Sequence, residues 1–195
     1  MSGTASAGAG QRAVLRAARA DDAAAIAHVH ATAWQSAYRG ILPARVLQGF
    51  RFERRLPFWR ALLSTEQPPL VQVADVAEAG VLGFVWGRRI TEARAAYDAE
   101  IIAIAVEPAR QRAGLGRRLM GAAAESLADR GATRLYLWVY RDNRQARAFY
   151  ESLGGRIVDE DVEQFQALTV PTVAFGWDSL GGLATAAGRD PETTR

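Results

Sequence analysis

The stretch from Gln111 to Gly116 has the composition of an anion-binding turn. It reads Gln-Arg-Ala-Gly-Leu-Gly and lies between an apolar run that ends at Val106 and a helical pattern that starts near Gly114. In a strand-turn-helix arrangement, several backbone N–H groups and the positive end of the helix dipole point at one place. Glycine allows positive φ and lets a bulky anion approach the backbone closely. The pattern therefore predicts a phosphate-binding turn.

The charges around this turn support the same interpretation. Arg110, Arg112, Arg117 and Arg118 fall within nine residues that contain no acid. Basic residues in a first helical turn oppose the helix dipole and cost about 0.3–1 kcal/mol each unless an anion binds there. A polyphosphate ligand would remove that conflict. An ordinary strand-to-helix loop with solvated arginines is the alternative, and these residues alone leave both open.

Composition excludes several other kinds of site. All 24 basic side chains other than histidine are arginines, so a nucleotide P-loop, which needs lysine, is excluded. A dinucleotide fingerprint needs a small residue where Leu119 stands. Without cysteine there are no thiolate nucleophiles or disulfides, and His28 and His30 are the only imidazoles, so we expect no metal site. A net charge of +3 gives no reason to expect nucleic acid or a membrane as partner.

Asn143 and Tyr150 stand at helical spacing on one face. Asn143, the single asparagine of the chain, is placed to cap a helix, and a purely structural cap is the simplest role for it. Tyr150 follows two turns later, about 10 Å along the axis. On periodicity alone it is a core aromatic, as Phe149 is.

Hydrophobic periodicity predicts the elements that position these residues. Their order is mixed, which indicates a three-layer α/β/α domain around a mixed sheet. We predict strands over 14–17, 70–76, 81–88, 99–106, 135–140, 156–159 and 172–177, and helices over 22–39, 43–63 with a break near Gly49, 115–130 and 142–153.

The folded unit is expected over residues 12–180. Residues 1–11 and 181–195 are rich in small residues and are expected to be flexible tails. The purest apolar run, Ile101–Val106, is far shorter than a membrane span of roughly 18 residues, and the N-terminus lacks a signal pattern, so we expect a cytoplasmic protein.

Two segments together resemble a known family. Gln111–Gly116, behind the strand that ends at Val106, is similar to the pyrophosphate-binding motif of the GCN5-related N-acetyltransferases (GNAT). Asn143–Gly154 resembles the Asn…Ala…Phe-Tyr…Leu-Gly helix of that family. The resemblance covers roughly residues 12–178. One departure is Gly155, where an aromatic residue commonly follows Leu-Gly, and this concerns local packing.

The resemblance implies acetyl-CoA as the co-substrate, bound where the sheet splays between residues 99–106 and 133–139. The pantetheine arm would add to the edge of the earlier strand. Implied cofactor-binding residues are Ile104, Ala105, Val106, Gln111, Arg112, Ala113, Gly114, Leu115, Gly116, Arg117 and Asn143.

Together with this resemblance, the residues themselves suggest the chemistry. Tyr150 would protonate the departing thiolate as general acid. Glu100, expected on the strand face of Ile102 and Ile104, would take the amine's proton directly or through water, and an ordinary strand-edge acid is its alternative role. Without cysteine for an acyl-enzyme, we expect direct attack in a ternary complex, with backbone N–H groups near Ala105 supporting the oxyanion.

The acceptor is expected between the first helices and the loop from Thr91 to Asp98. Aromatic side chains would line it, although each could equally be core: Trp34, Tyr38, Trp86, Tyr97 and Trp138. The segment Trp34–Pro43 is similar to one in many family members without an assigned substrate. A small-molecule amine is favoured, a peptide N-terminus or lysine is the second possibility, and a non-catalytic acyl-CoA-binding module is the third. Strand 172–177 is a candidate edge for a homodimer.

Overall fold

A seven-stranded mixed sheet organises the chain. The computed structural model describes residues 13–66, 69–90, 96–165 and 168–188. The strand order is β1-β2-β3-β4-β5-β7-β6, and of these neighbours only β4 and β5 run parallel. The strands are β1 Val14–Ala17, β2 Leu70–Val76, β3 Gly80–Arg89, β4 Ala99–Val106, β5 Leu135–Tyr140, β6 Arg156–Phe165 and β7 Leu168–Trp177.

Helices cover both faces of this sheet, which confirms the expected three-layer arrangement. They are α1 Ala23–Ala37, α2 Ala44–Gly49, α3 Phe52–Leu63, α4 Leu115–Asp129, α5 Arg144–Ser152 and α6 Leu180–Gly188. Helices α1 and α3 pack with β2 and β3 in one core, whereas α4, α5 and α6 share the other core with β4, β5 and β7. Within the described residues, no helix is long and apolar enough to cross a membrane.

The C-terminal hairpin is longer than its sequence pattern indicates. Strands β6 and β7 pair over their full length, and β7 also pairs with β5. Most residues of β6 are exposed, because it is an edge strand, so it carries little of the apolar periodicity that marks buried strands. The proposal that residues 172–177 form a dimer edge is wrong, since β7 has a neighbour on each side.

The folded unit extends beyond residue 180. Helix α6 buries Leu180, Leu183 and Ala187 in the core, and the Arg117 Nη1 atom donates to the Ala186 carbonyl oxygen at 2.6 Å. The segment is rich in Gly and Ala, so these three positions at helical spacing give only a weak apolar pattern in the sequence. The expectation of a flexible tail from residue 181 is therefore wrong for 181–188, while residues 1–11 and 189–195 lie outside the described residues.

Trp177 explains the glycine at position 155. A Cβ on Gly155 would lie 2.6 Å from the Trp177 ring and 3.0 Å from the Tyr150 carbonyl oxygen. The indole Nε1 of Trp177 donates to the Leu153 carbonyl oxygen at 2.9 Å. An aromatic side chain from β7 thus fills the space beside the end of α5, and the departure from the family pattern is compensated there.

A half-buried imidazole on α1 packs against aromatic side chains of α3 and the sheet. The His30 ring makes edge contacts with Phe50, Trp59 and Phe84 at centroid distances of 4.8, 5.6 and 5.1 Å. Its Nδ1 atom accepts a hydrogen bond of 3.1 Å from the Trp59 indole. Burial, and secondarily the nearby Arg55 charge, lower the pKa of His30 to about 3. His30 is therefore neutral in the folded protein at working pH.

This neutral histidine should make stability depend on pH. In the unfolded chain His30 takes up a proton below pH 6.5, whereas in the folded protein it does so only near pH 3. The unfolded state then binds more protons, so the free energy of unfolding falls as pH drops below 6.5, by up to about 1.4 kcal/mol per pH unit. His30→Gln keeps an acceptor for Trp59 and removes the titration.

Urea unfolding measured at intervals from pH 7 to pH 5 checks this expectation. The pH dependence should flatten in His30→Gln and persist in His28→Gln, which changes an exposed residue of the same helix. Equal slopes in the wild type and His30→Gln would contradict a neutral His30 in the folded protein.

Candidate functional site

The central strands of the sheet part inside the domain. Pairing between β4 and β5 is limited to Ala99 with Leu135 and Glu100 with Tyr136. Beyond these two pairs, β4 continues to Val106 and β5 to Tyr140 without strand partners on their facing edges. Backbone N–H and C=O groups on these edges are therefore available to a ligand that enters as an extra strand.

Strand alternation identifies which β4 groups face this gap. The Glu107 N–H donates to the Leu82 carbonyl oxygen at 2.8 Å, on the β3 side, and pairing with β3 is regular from Ala103 to Val106. Alternate residues point the same way. The backbone N–H and C=O groups of Ala105 therefore point to β3, while those of Ile104 and Val106 point to the gap. The backbone donor expected near Ala105 is thus the N–H of Ile104.

The turn after β4 presents a run of free amides. Arg112 and Gly114 have φ of 66° and 77°, and α4 starts at Leu115 without a side-chain cap. Among the described residues, the N–H groups of 112–117 have no protein acceptor, and the next one, from Arg118, donates to the Gly114 carbonyl oxygen. A left-handed conformation at arginine costs about 1–2 kcal/mol, so this backbone shape is imposed by its surroundings. The arrangement is a cradle for an anion.

The four arginines near this cradle divide into two pairs. Arg117 donates to the Ala186 carbonyl oxygen and to the Ser152 hydroxyl, and Arg118 donates to the Ala13 carbonyl oxygen at 2.6 Å. These two guanidinium groups tie α4 to α6, α5 and the start of β1. Arg110 and Arg112 are exposed and have no hydrogen-bond partner among the described residues. Sequence reasoning grouped all four around a ligand, but Arg117 and Arg118 have structural partners.

Helix α5 packs against the cradle. The Gln145 amide donates to the Gln111 side-chain oxygen at 3.3 Å, and Gln111 Nε2 donates to the Val106 carbonyl oxygen at 3.1 Å. A Cβ on Gly116 would lie 3.3 Å from the Phe149 ring. The turn, the end of β4 and α5 are thus linked at one end of the gap.

Asn143 and Tyr150 lie on α5, beside the gap. Asn143 is buried, and its Oδ1 atom accepts a hydrogen bond of 3.1 Å from the Ala146 N–H, which confirms the predicted cap. The Tyr150 ring is buried and lies 5.6 Å from the Phe175 ring. Its hydroxyl has no hydrogen-bond partner among the described residues. Burial, and secondarily Tyr38, raise the pKa of Tyr150 well above its usual value, so the phenol keeps its proton.

Glu100 lies at the closed end of the gap, where β4 and β5 are still paired. Its carboxylate accepts hydrogen bonds of 3.0 and 2.8 Å from Arg88. A bulge in β4 near Ile102 adds one residue to the strand, so the side chains on either side of it exchange faces relative to a regular strand. Glu100 therefore shares the α1 face with Ala103 and Ala105, while Ile104 packs on the α4 side. The expected common face of Glu100 and Ile104 is wrong.

The predicted acceptor residues divide among several clusters. Trp34 and Tyr38 contact each other at 5.0 Å, and Trp86 packs instead with Phe58 and Trp59. Tyr97 lies near Tyr136, at 6.0 Å between ring centroids. The structure thus brings Trp34 and Tyr38 together, whereas Trp86 and Tyr97 lie elsewhere. Trp138 is on the same face of β5 as Tyr136 and Tyr140. Residues 91–95 of the expected acceptor loop lie outside the described residues.

Two features of this region were missed by sequence reasoning. Tyr140, at the end of β5, packs on Tyr38 at 4.8 Å and donates a 2.8 Å hydrogen bond to Glu163 of β6. The strand alternation places Tyr140 at the end of β5, but no nearby residue in the sequence relates it to Tyr38 or Glu163.

A groove of ≈ 690 Å³ also lies on the solvent side of α1. Its lining residues include Thr32, Gln35 and Arg51 and none of the predicted acceptor aromatics. In the described part of the chain, no three His, Asp or Glu residues cluster as metal ligands would.

Comparison with known proteins agrees with this geometry. The model of the acetyltransferase (GNAT) family matches residues 32–155. An uncharacterized N-acetyltransferase of Bacillus subtilis (strain 168), YuaI, is 29% identical over 175 residues, which cover 90% of this chain and 98% of that protein. A mycothiol acetyltransferase of Kocuria rhizophila is 37% identical over 86 residues, covering 44% of this chain and 28% of that protein.

Solved structures share the fold. The PaiA N-acetyltransferase of Thermoplasma acidophilum, in complex with coenzyme A, has a TM-score of 0.65 at 19% identity, with 82% of this chain and 97% of that chain covered. A GCN5-related N-acetyltransferase of Rhodopseudomonas palustris has a TM-score of 0.67 at 16% identity, with coverages of 86% and 96%. With its parted central strands, its amide cradle and a family match over most of its length, this chain belongs to the GNAT family and is an acetyl-CoA-dependent N-acetyltransferase.

Proposed function

We propose that this enzyme transfers the acetyl group to a primary amine by direct attack in a ternary complex, with a small-molecule amine as the favoured acceptor. The observation that carries this proposal is the gap between β4 and β5, which has the amide cradle at one end and the unpartnered Tyr150 hydroxyl beside it. Without cysteine no thiolate acyl-enzyme can form, which favours direct attack of the amine on the thioester in one complex.

The described residues suit acetyl-CoA. Backbone amides of the turn from Arg112 to Gly116 would bind the pyrophosphate, and the exposed Arg110 and Arg112 side chains would add charge. The Ile104 and Val106 backbone would pair with the pantetheine amides as a neighbouring strand does. Arg117 would contribute by fixing the first turn of α4, and Asn143 by fixing the start of α5.

Each proton has a proposed route. The amine nitrogen attacks the thioester carbonyl carbon, the carbon–sulfur bond breaks, and its electron pair goes to sulfur. Tyr150 donates its proton to that sulfur and is reprotonated from solvent. Glu100 is paired with Arg88, so we propose that it acts through water and that the amine proton leaves by that water.

The acceptor class is inferred from the aromatic side chains at the end of α1. A mycothiol acetyltransferase is among the proteins similar in sequence, and a ribosomal-protein-S18-alanine N-acetyltransferase is among the proteins that share the fold, so these names do not agree on an acceptor. The aromatic pair Trp34 and Tyr38, buried partly against Tyr140, offers a compact surface more suited to a small amine than to an extended peptide.

Release of the CoA thiol from acetyl-CoA, measured across amines, amino acids, and peptides with free N-termini or lysines, tests the function. The chain has no thiol of its own to interfere. Turnover confined to small amines supports the proposal. Turnover confined to peptides selects the second acceptor class, and binding of acetyl-CoA without turnover on any acceptor indicates a non-catalytic module.

The cradle predicts a charge-specific effect at Ala113. Its side chain is exposed beside the free amides, so Ala113→Glu places a carboxylate where the pyrophosphate would bind. This carboxylate should stabilise the start of α4 by about 0.3–1 kcal/mol through the helix dipole. It should also weaken CoA binding by roughly 10-fold or more, since a like charge opposes the phosphates.

Isothermal calorimetry with CoA, paired with thermal unfolding, measures both effects. Ala113→Gln is the matched neutral control and should retain near wild-type affinity. This pair is a cleaner test than a bulky residue at Gly116, which would also strike Phe149. Equal CoA affinity in the Glu and Gln variants would exclude the cradle as the phosphate site.

Tyr150→Phe separates catalysis from packing. The Tyr150 ring is buried and its hydroxyl makes no hydrogen bond within the described residues, so Tyr150→Phe should leave stability nearly unchanged. If Tyr150 is the general acid, kcat should fall roughly 10- to 1000-fold while CoA affinity stays nearly constant. Steady-state kinetics under rate-limiting chemistry check this, and wild-type kcat in the variant would leave Tyr150 with a packing role.

A further inference from the structure

Arg55 of α3 is a half-buried cation without a counter-ion. Its Nε atom is enclosed and has no hydrogen-bond partner, and no acid in the described part of the chain forms an ion pair with its guanidinium group. The guanidinium carbon lies 4.4 Å from the centre of the Phe50 ring and 5.8 Å from that of Phe58. The other half-buried arginines among the described residues all donate hydrogen bonds: Arg16, Arg117, Arg118 and Arg147. Of this group, Arg55 alone lacks an acceptor.

Trp86 of β3 carries a second enclosed donor. Its Nε1 atom also has no partner, whereas the indole of the neighbouring Trp59 donates to His30 Nδ1 at 3.1 Å. An indole N–H and a guanidinium Nε–H can donate but cannot accept. Native proteins leave few buried donors unsatisfied, and an acceptor atom from a ligand is one way to satisfy them. Arg55 and Trp86 therefore lack the same kind of partner.

Phe58 connects the two donors at the protein surface. Its ring lies 5.4 Å from the Trp86 ring, contacts the Arg55 guanidinium group, and is 36% exposed. Phe50, the other ring beside Arg55, stacks on Trp34 at 4.2 Å. The two donors are thus linked to solvent through Phe58 and to the aromatic residues proposed for the acceptor through Phe50.

The sheet places Trp86 close to the gap. Trp86 pairs with Ala103 of β4, and Arg88, the next residue on the same face of β3, pairs with Glu100. Neighbouring strands lie about 4.8 Å apart, so Trp86 is one strand away from the gap edge of β4. The phosphate cradle lies beyond the other end of β4. A ligand bound to Arg55 and Trp86 would therefore lie at the acceptor end of the gap, on the sheet face that carries Glu100.

A carboxylate fits these two donors. It accepts hydrogen bonds at both oxygens and supplies the negative charge that Arg55 lacks in its surroundings. The Phe58 ring suits the carbon chain that would connect the carboxylate to an amine. Acetyl-CoA contains no carboxylate, and its pyrophosphate is assigned to the cradle. The anion is therefore expected from the acceptor.

We propose that the acceptor is a small primary amine that carries a carboxylate, as an amino acid does, and that Arg55 and Trp86 bind this carboxylate. The inference rests on the proposed acetyl transfer and names its substrate class. The carboxylate stays ionised and takes no part in bond making. The amine nitrogen attacks the thioester as described above, while Arg55 and Trp86 hold the other end of the molecule and determine specificity.

Acceptor pairs that differ in one charge test the proposal. Release of the CoA thiol is measured with a panel of amino acids and with the matching carboxamides, which keep the amine and lose the carboxylate. Arg55→Gln should lower kcat/KM for the preferred amino acid roughly 10- to 100-fold and that for its amide less than about threefold, since only the carboxylate loses a charged partner. Comparing each acceptor with itself in two proteins cancels the different basicity of the two amines.

Arg54→Gln is the matched control, because it removes the same charge from an exposed neighbour in α3, and both kcat/KM values should stay within about threefold. Trp86→Phe keeps an aromatic ring and removes the N–H. It should lower kcat/KM for the amino acid roughly 3- to 10-fold, and it carries the test if Arg55→Gln does not fold. CoA affinity, measured by calorimetry, should stay within about threefold in each variant.

Equal changes for the amino acid and its amide in the folded Arg55→Gln and Trp86→Phe variants would overturn this inference while acetyl transfer stands. Wild-type turnover confined to amines without a carboxylate would do the same. Absence of wild-type turnover on every acceptor would instead overturn the proposed function, and this inference with it.

Discussion

Strands β4 and β5 stop pairing with each other after two residue pairs, although both strands continue beyond that point. A backbone N–H or C=O group buried without a partner is costly, so protein interiors rarely leave such groups unpaired. In this chain the unpaired edges face each other and are reached by an end of α1, by the turn before α4 and by the start of α5. A ligand with its own amides would pair with these edges as a neighbouring strand does.

The elements around the gap hold it open from several directions. Gln111 links the turn to the end of β4 and to Gln145 of α5. Arg117 fixes α4 to α6 and α5, and Trp177 fills the space behind the end of α5. On the other face, Tyr38 and Tyr140 bring α1 against β5. The side chains that would contact the acetyl group therefore have fixed backbones, as precise positioning requires.

Much of this arrangement can be predicted from sequence, for a local reason. The turn and the Asn143 cap depend on residues within a few positions of each other, and both were recognised. Glu100 was placed on the wrong face because the bulge near Ile102 depends on pairing with β3, which no local pattern records. Helix α6 was missed since its stability comes from packing on α4 and not from its own composition. The separation of Trp86 from Trp34 likewise depends on how α1 and α3 cross the sheet.

Arg117 and Arg118 hold α4 in place through backbone carbonyl oxygens. Lysine could make similar contacts with its ammonium, but lysine is the side chain that acetyl donors modify, and the loss of its charge would release them. A guanidinium keeps its proton at all working pH values and is not a nucleophile for a thioester. An enzyme whose 24 basic side chains other than histidine are all arginines thus offers its own cofactor no side-chain amine to acetylate.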